Sequence, residues 1–186
     1  MIYEFCAENV TLLEKAMEAG ARRIELCDNL AVGGTTPSYG VTKAAVELAA
    51  NYDTTIMTMI RPRGGDFVYN DLEIAIMLED IRLTAQAGSQ GVVFGALTAD
   101  KKLDKPNLEK LIAASKGMEI VFHMAFDELS DEDQLEAIDW LSQAGVTRIL
   151  TRAGVSGDSL EKRFAHYHRI LEHAKGKIEI LPGGGI

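Results

Sequence analysis

Short apolar runs recur along the chain, and most follow an amphipathic stretch that ends in glycine. Arg23-Ile24-Glu25-Leu26 follows Ala19-Gly20, Gly91-Val92-Val93-Phe94 follows Ala87-Gly88, and Glu119-Ile120-Val121-Phe122 follows Lys116-Gly117. Arg148-Ile149-Leu150 follows Ala144-Gly145, and Ile178-Glu179-Ile180-Leu181 follows Lys175-Gly176. Glycine is favoured just past a helix C-terminus because it enters the left-handed region without a Cβ clash. From Gly88 the terminators recur after 29, 28 and 31 residues, and Gly20 to Gly88 is 68, two units with an insertion. A helix, a strand and two loops consume about 30 residues, so this period predicts stacked βα units with a parallel sheet.

The stretches between the runs carry helical spacing. Ile74, Met77, Leu78, Ile81 and Ala85 form one apolar stripe, as do Leu160, Phe164, Tyr167, Leu171 and Ala174, and both stripes are expected to pack outside the sheet. Asn9 is read as the cap of the first helix, Pro106 suits a first helical position, Ser130 precedes an acidic first turn, and a helix is expected to begin near Thr42. Strands then fall at about 2–6, 23–27, 55–60, 91–95, 119–123, 148–151 and 178–182. The fold class is α/β, a TIM-type (β/α) barrel over residues 1–186 as one domain. An (β/α)8 barrel has eight strands and typically about 250 residues, so this one looks truncated after the seventh, lacking an eighth βα unit. An open parallel edge invites pairing with another copy, a homo-oligomer.

Alternate residues of a barrel strand point inward. With Tyr3 and Phe5 placed beneath helices, Glu4 and Cys6 turn inward; with Ile24 and Leu26 outside, Arg23, Glu25 and Cys27 do the same. Glu-x-Cys therefore occurs twice on one wall, with each thiol nearer the C-terminal end where barrel active sites lie. Adjacent strands are about 4.8 Å apart, close enough for Cys6 and Cys27 to meet. Two thiolates suit Cu(I), and Met57, Met59 and Met124 offer thioether sulfur, although buried Cys and Met are equally at home as core filling. His123 ends the fifth strand and reads either as a hydrogen-bonded core residue or as a member of the same cavity as the carboxylates, a combination able to move protons. Arg61 and Arg63 precede a flexible Gly-Gly pair and are read as an anion clamp or as partners of Glu4, Glu25 or Asp66. Gly33-Gly34 offers free amides ahead of a helix, and the run Gly183 to Gly185 sits where many barrels bind phosphate, although such glycine runs also serve simply as turns. His166, His168 and His173 lack the i, i+4 spacing of a metal pair and read as surface residues.

Composition narrows the partners. Nineteen Lys and Arg against twenty-eight Asp and Glu give a net charge of −9, which repels nucleic acid and anionic lipid. No run approaches a membrane span, and the start lacks the basic and apolar segments of a signal peptide, so a cytoplasmic protein is expected. Two cysteines in a reducing compartment persist as thiols rather than a disulfide scaffold.

Six segments carry a resemblance: Glu25-Leu26-Cys27, Gly33-Gly34-Thr35-Thr36-Pro37-Ser38-Tyr39-Gly40, Ile60-Arg61-Pro62-Arg63-Gly64-Gly65-Asp66-Phe67, Phe122-His123-Met124-Ala125-Phe126-Asp127, Ile149-Leu150-Thr151 and Pro182-Gly183-Gly184-Gly185-Ile186. In this order they resemble the signature segments of the copper homeostasis protein CutC family. The resemblance implies a cytoplasmic TIM-type barrel that takes part in copper homeostasis and binds Cu(I) through Cys6 and Cys27. Two departures stand out: members often carry Arg where this chain has Met124, and they continue to an eighth strand.

Two functions follow. One is Cu(I) binding or handling through the thiol pair. The other is a barrel enzyme acting on a small anionic substrate, phosphorylated ones included. There Arg61, Arg63, Gly183 and Gly184 bind the anion, His123 is acid and base, and Glu4 or Glu25 assists.

Overall fold

The computed structural model describes residues 2–154 and 158–184. Elements alternate through β1 (Glu4–Glu8), α1 (Leu13–Glu18), β2 (Arg23–Cys27), α2 (Tyr39–Ala49), β3 (Thr55–Met59), α3 (Asp71–Ala87) and β4 (Gly91–Phe94). They continue with α4 (Lys105–Ala114), β5 (Glu119–Phe122), α5 (Asp131–Gln143), β6 (Arg148–Thr151), α6 (Leu160–Ala174) and β7 (Glu179–Pro182). The seven strands among the described residues are parallel and stand in sequence order β1 to β7, a sheet curled into a half-barrel of TIM type. No helix among the described residues is long and apolar enough to cross a membrane.

The glycine period has its predicted cause. Gly20, Gly88, Gly117, Gly145 and Gly176 all have positive φ, between 74° and 104°. Ser130 caps α5 through the Asp133 amide, and Asp104 caps α4 with Pro106 in its first turn. Two cap expectations are corrected. Asn9 does not cap α1 but donates to the Asp28 carboxylate at 2.9 Å, because Leu12, not Asn9, precedes the helix. Likewise α2 starts at Tyr39 rather than near Thr42, since Ser38 accepts from the Val41 amide and supplies the first cap available.

The two faces of the sheet have separate cores. Ile24, Leu26 and Ile56 on one side, and Val92, Phe94, Ile120, Phe122 and Ile149 further along, pack with the helices. Phe94 and Phe122 are wholly buried, so truncation of either to Ala costs about 3–5 kcal/mol. Cys27, Met57, Met59, Val93, Val121 and Leu150 form a third cluster on the concave side, where period-2 alternation puts them.

At the ends of the sheet three outward expectations fail. Tyr3 and Phe5 are 68% and 36% exposed, because only the short α1 lies near the outer face of β1. The α6 stripe is also only partly covered. Leu160, Phe164 and Leu171 are exposed, whereas Ile170 and Ala174 face the core, because no described helix flanks α6 beyond α5. On α3, in the middle of the fold, Ile74, Met77 and Ile81 are buried as expected, and Thr84 is buried in place of Ala85.

Candidate functional site

Register builds the thiol site. Cys6 stands opposite Glu25 in the β1–β2 pair, and Cys27 lies one inward position further along the same strand. One ligand atom from each of Cys6, Glu25 and Cys27 falls within 4.8 Å of the others. Cys6 is exposed and Cys27 is buried. The Cys27 thiol donates toward Cys6, and this lowers the Cys6 thiol to about 7, with help from Glu25 and against the cost of burial. Cys27 is pushed far up by the same bond and by burial. Burial also holds the Glu25 carboxyl well above the usual carboxylate range, reinforced by the charges of Cys6 and Glu4. The resulting arrangement is one accessible thiolate supported by two protonated neighbours.

The loop after β2 closes over the buried thiol. Asp28 and Thr35 exchange backbone hydrogen bonds at 2.9 and 2.7 Å, and the chain between them brings Gly34 onto Cys27. A Cβ at Gly34 would come within 3.0 Å of Cys27 Sγ, and φ there is +85°, so both space and backbone demand glycine. Arg61, just past β3, locks this loop. Its terminal nitrogens donate to the carbonyls of Val32, Gly34 and Gly65 at 2.8, 2.9 and 2.8 Å, while Nε has no partner.

His123 follows β5. Its Nδ1 accepts from the Ala125 amide at 3.2 Å, which leaves the proton of the neutral ring on Nε2, and that nitrogen is unpartnered. Burial, and then the Arg61 charge, lower His123 to about 3, so it is neutral at physiological pH. The Phe67 ring touches both groups, 5.0 Å from Arg61 Cζ and 4.8 Å from the neutral imidazole's centroid. Of five buried side-chain atoms lacking a partner among the described residues, Glu25 Oε1, Arg61 Nε and His123 Nε2 belong to this wall.

Other predicted site residues lie elsewhere. Glu4 is paired with Arg23 at the N-terminal end of β1 and β2. Arg63 is spent on Glu73 at 2.5 Å, Asp66 at 3.0 Å and the Val68 carbonyl at 2.7 Å, and it stacks on Tyr69, so it braces the loop between β3 and α3. Gly183 continues the β6–β7 ladder through the Thr151 carbonyl, and Gly184, at φ +76°, lies beside Met124 and Arg152; Gly185 lies outside the described residues. The helical histidines need one correction. His168 is exposed, but His166 and His173 reach across to α5, bonding Gln134 at 2.7 Å and Asp139 at 3.1 Å, because α5 and α6 are in contact.

The CutC family model matches residues 1–186. The chain belongs to the CutC family. The family protein CutC of Enterococcus faecalis is 52% identical over 186 residues, all of this chain and 89% of that protein. A human relative named copper homeostasis protein cutC homolog is 42% identical over 185 residues, covering 100% of this chain and 65% of the relative. The solved CutC structure from Streptococcus agalactiae has a TM-score of 0.96 at 46% identity, covering 100% of this chain and 89% of that one.

In this CutC chain, sequence reading missed the residues that shape the wall without chemistry of their own. Gly34 seats Cys27, Gly95 seats His123, and Phe67 joins Arg61 to His123. Their signal was present in the Gly-Gly and Arg-Gly-Gly-Asp-Phe motifs, but close approach between distant loops has no period to reveal it. Met57 and Met59 share the inner apolar cluster with Cys27, and Met124 packs against that cluster with its sulfur toward Arg152.

Proposed function

We propose that this CutC chain is a cytosolic copper-handling protein that takes Cu(I) as its cargo on Cys6 and Cys27. The observation that carries the reading is the separation of at most 4.8 Å among the ligand atoms of Cys6, Glu25 and Cys27. Two metal–sulfur bonds of about 2.3 Å set end to end span about 4.6 Å, so a two-coordinate soft ion fits between the thiols with little movement. Thiolate and thioether select Cu(I), whereas a protonated carboxyl is a poor ligand for it, which makes Glu25 a donor to the Cys6 thiolate rather than a third ligand. The copper homeostasis name of the human relative supports the same cargo.

Binding needs thiolates, so Cys27 releases a proton as the ion enters. Its apolar surroundings, Met57, Met59 and Val93, then exclude water and harder ions from the buried side of the site. The test is an anaerobic titration of the reduced protein with Cu(I) against a competing chelator. Cys6→Ser and Cys27→Ser should each lose about a hundredfold in affinity, about 2.7 kcal/mol, and His123→Ala should lose none. Unchanged affinity in both serine variants would sink the reading.

A further inference from the structure

We infer that Arg61 and His123 form a second subsite on the same wall, built to hold a small oxyanion. Arg61 is 4% exposed; it donates to three neutral carbonyls, and the neutral Tyr69 hydroxyl also lies against it, so no carboxylate faces it among the described residues. A buried guanidinium without a counter-charge is costly, and the two Arg clusters at the other end of this wall all have carboxylates. The missing partner at Arg61 is therefore an anion.

Its chemistry follows from the free atoms. Arg61 Nε carries a hydrogen and no acceptor; His123 is 3% exposed, and its Nε2 carries the ring proton because Nδ1 already accepts from Ala125. Both groups offer only donors, which fits the oxygens of a carboxylate or phosphate and excludes an amine or a metal ion. Between their strands stands Gly95, where a Cβ would lie 2.7 Å from the imidazole, so no side chain intrudes between the two donors. Phe67 touches both and shuts them from solvent. Phe67 also lines a cavity of about 520 Å³ with Gly65, Asp66 and Leu97 among others, so this ring stands between a solvent-open pocket and the donors.

The inference is independent of the Cu(I) reading, since neither residue is a thiol and the test is made on metal-free protein. Acetate, pyruvate and inorganic phosphate are titrated separately into the reduced protein while the Arg61 Nε–H and His123 Nε2–H resonances are followed by NMR. At least one anion should shift both resonances saturably, and His123→Ala should weaken its binding about tenfold. A response to carboxylates alone assigns a carboxylate subsite, and one to phosphate alone a phosphate subsite. Because Arg61 ties three loop carbonyls, Arg61→Lys disturbs the loop as well as the subsite, so Phe67→Ala serves as the second variant and should admit the same anion faster. The inference fails if no anion shifts either resonance in wild type or in Phe67→Ala, or if binding is undiminished in His123→Ala.

Discussion

The two ends of the inner wall are built from the same residue types and treat them oppositely. At the N-terminal end Arg23 is paired with Glu4, and Arg148 reaches Glu119 at 2.6 Å and Glu179 at 2.8 Å, so each cation has a counter-charge although Arg148 Nη1 itself has no partner. At the C-terminal end Arg61 meets carbonyls, a phenol and the Phe67 ring but no carboxylate, His123 uses one nitrogen, and one Glu25 oxygen has no partner. Buried charge satisfied by its neighbours fills a barrel; buried polarity left unsatisfied is costly and persists where something else completes it. The difference separates structural polarity from functional polarity on one surface.

The comparison breaks most visibly at the closed end. The Arg23 and Glu4 side chains are 5% and 12% exposed, so Arg23→Ala, which strands a nearly buried carboxylate, should cost about 3–5 kcal/mol in urea unfolding. The double variant Arg23→Met with Glu4→Leu should recover most of that loss, and a double variant as unstable as the single one would show that shape rather than charge is at stake.

At the open end the expected effect is smaller and depends on pH. His123 titrates at about 3 in the fold and near 6.5 when unfolded, so the unfolded state binds more protons between those values. Its contribution is complete above about 6.5 and is lost as pH falls, by about 1.4 kcal/mol per pH unit in that window. Relative to His123→Gln, wild type should therefore lose stability at that slope between about pH 6 and 4.5, measured by denaturant midpoints. Parallel pH profiles would mean that the imidazole is not held neutral by its surroundings.

The gentlest probe concerns the thiols. With Cys6 exposed and lowered to about 7, its alkylation by iodoacetamide should be half-maximal near pH 7, while buried Cys27 stays unmodified in the folded protein. Glu25→Gln keeps a donor beside Cys6 and should shift that midpoint little. A midpoint above 8 in wild type would break the proposed support of Cys6 by Cys27 and Glu25.

Much of this was legible in one dimension. Glycine punctuation near a 30-residue period located five of the seven strands, and alternation within Glu4-Phe5-Cys6 and Arg23-Ile24-Glu25-Leu26-Cys27 put both thiols and Glu25 on one face. What failed were expectations that needed neighbours not adjacent in sequence. An amphipathic stripe on α6 reports that a face is apolar, not that a partner covers it, and Leu160 and Phe164 are exposed for want of one. Arg61 and Arg63 look alike in the motif, yet one turns to the wall and the other to Glu73, a choice made by helix α3.

The sequence by itself determined the repeat, the parallel order and the inward set of residues, because these follow from local backbone preference and the periods of strand and helix. Only the tertiary structure decided which inward charges are paired and which are left open. Pairing depends on register between strands and on loops such as 28–35 and 61–67 folding over the strand ends, and no local pattern encodes those distances.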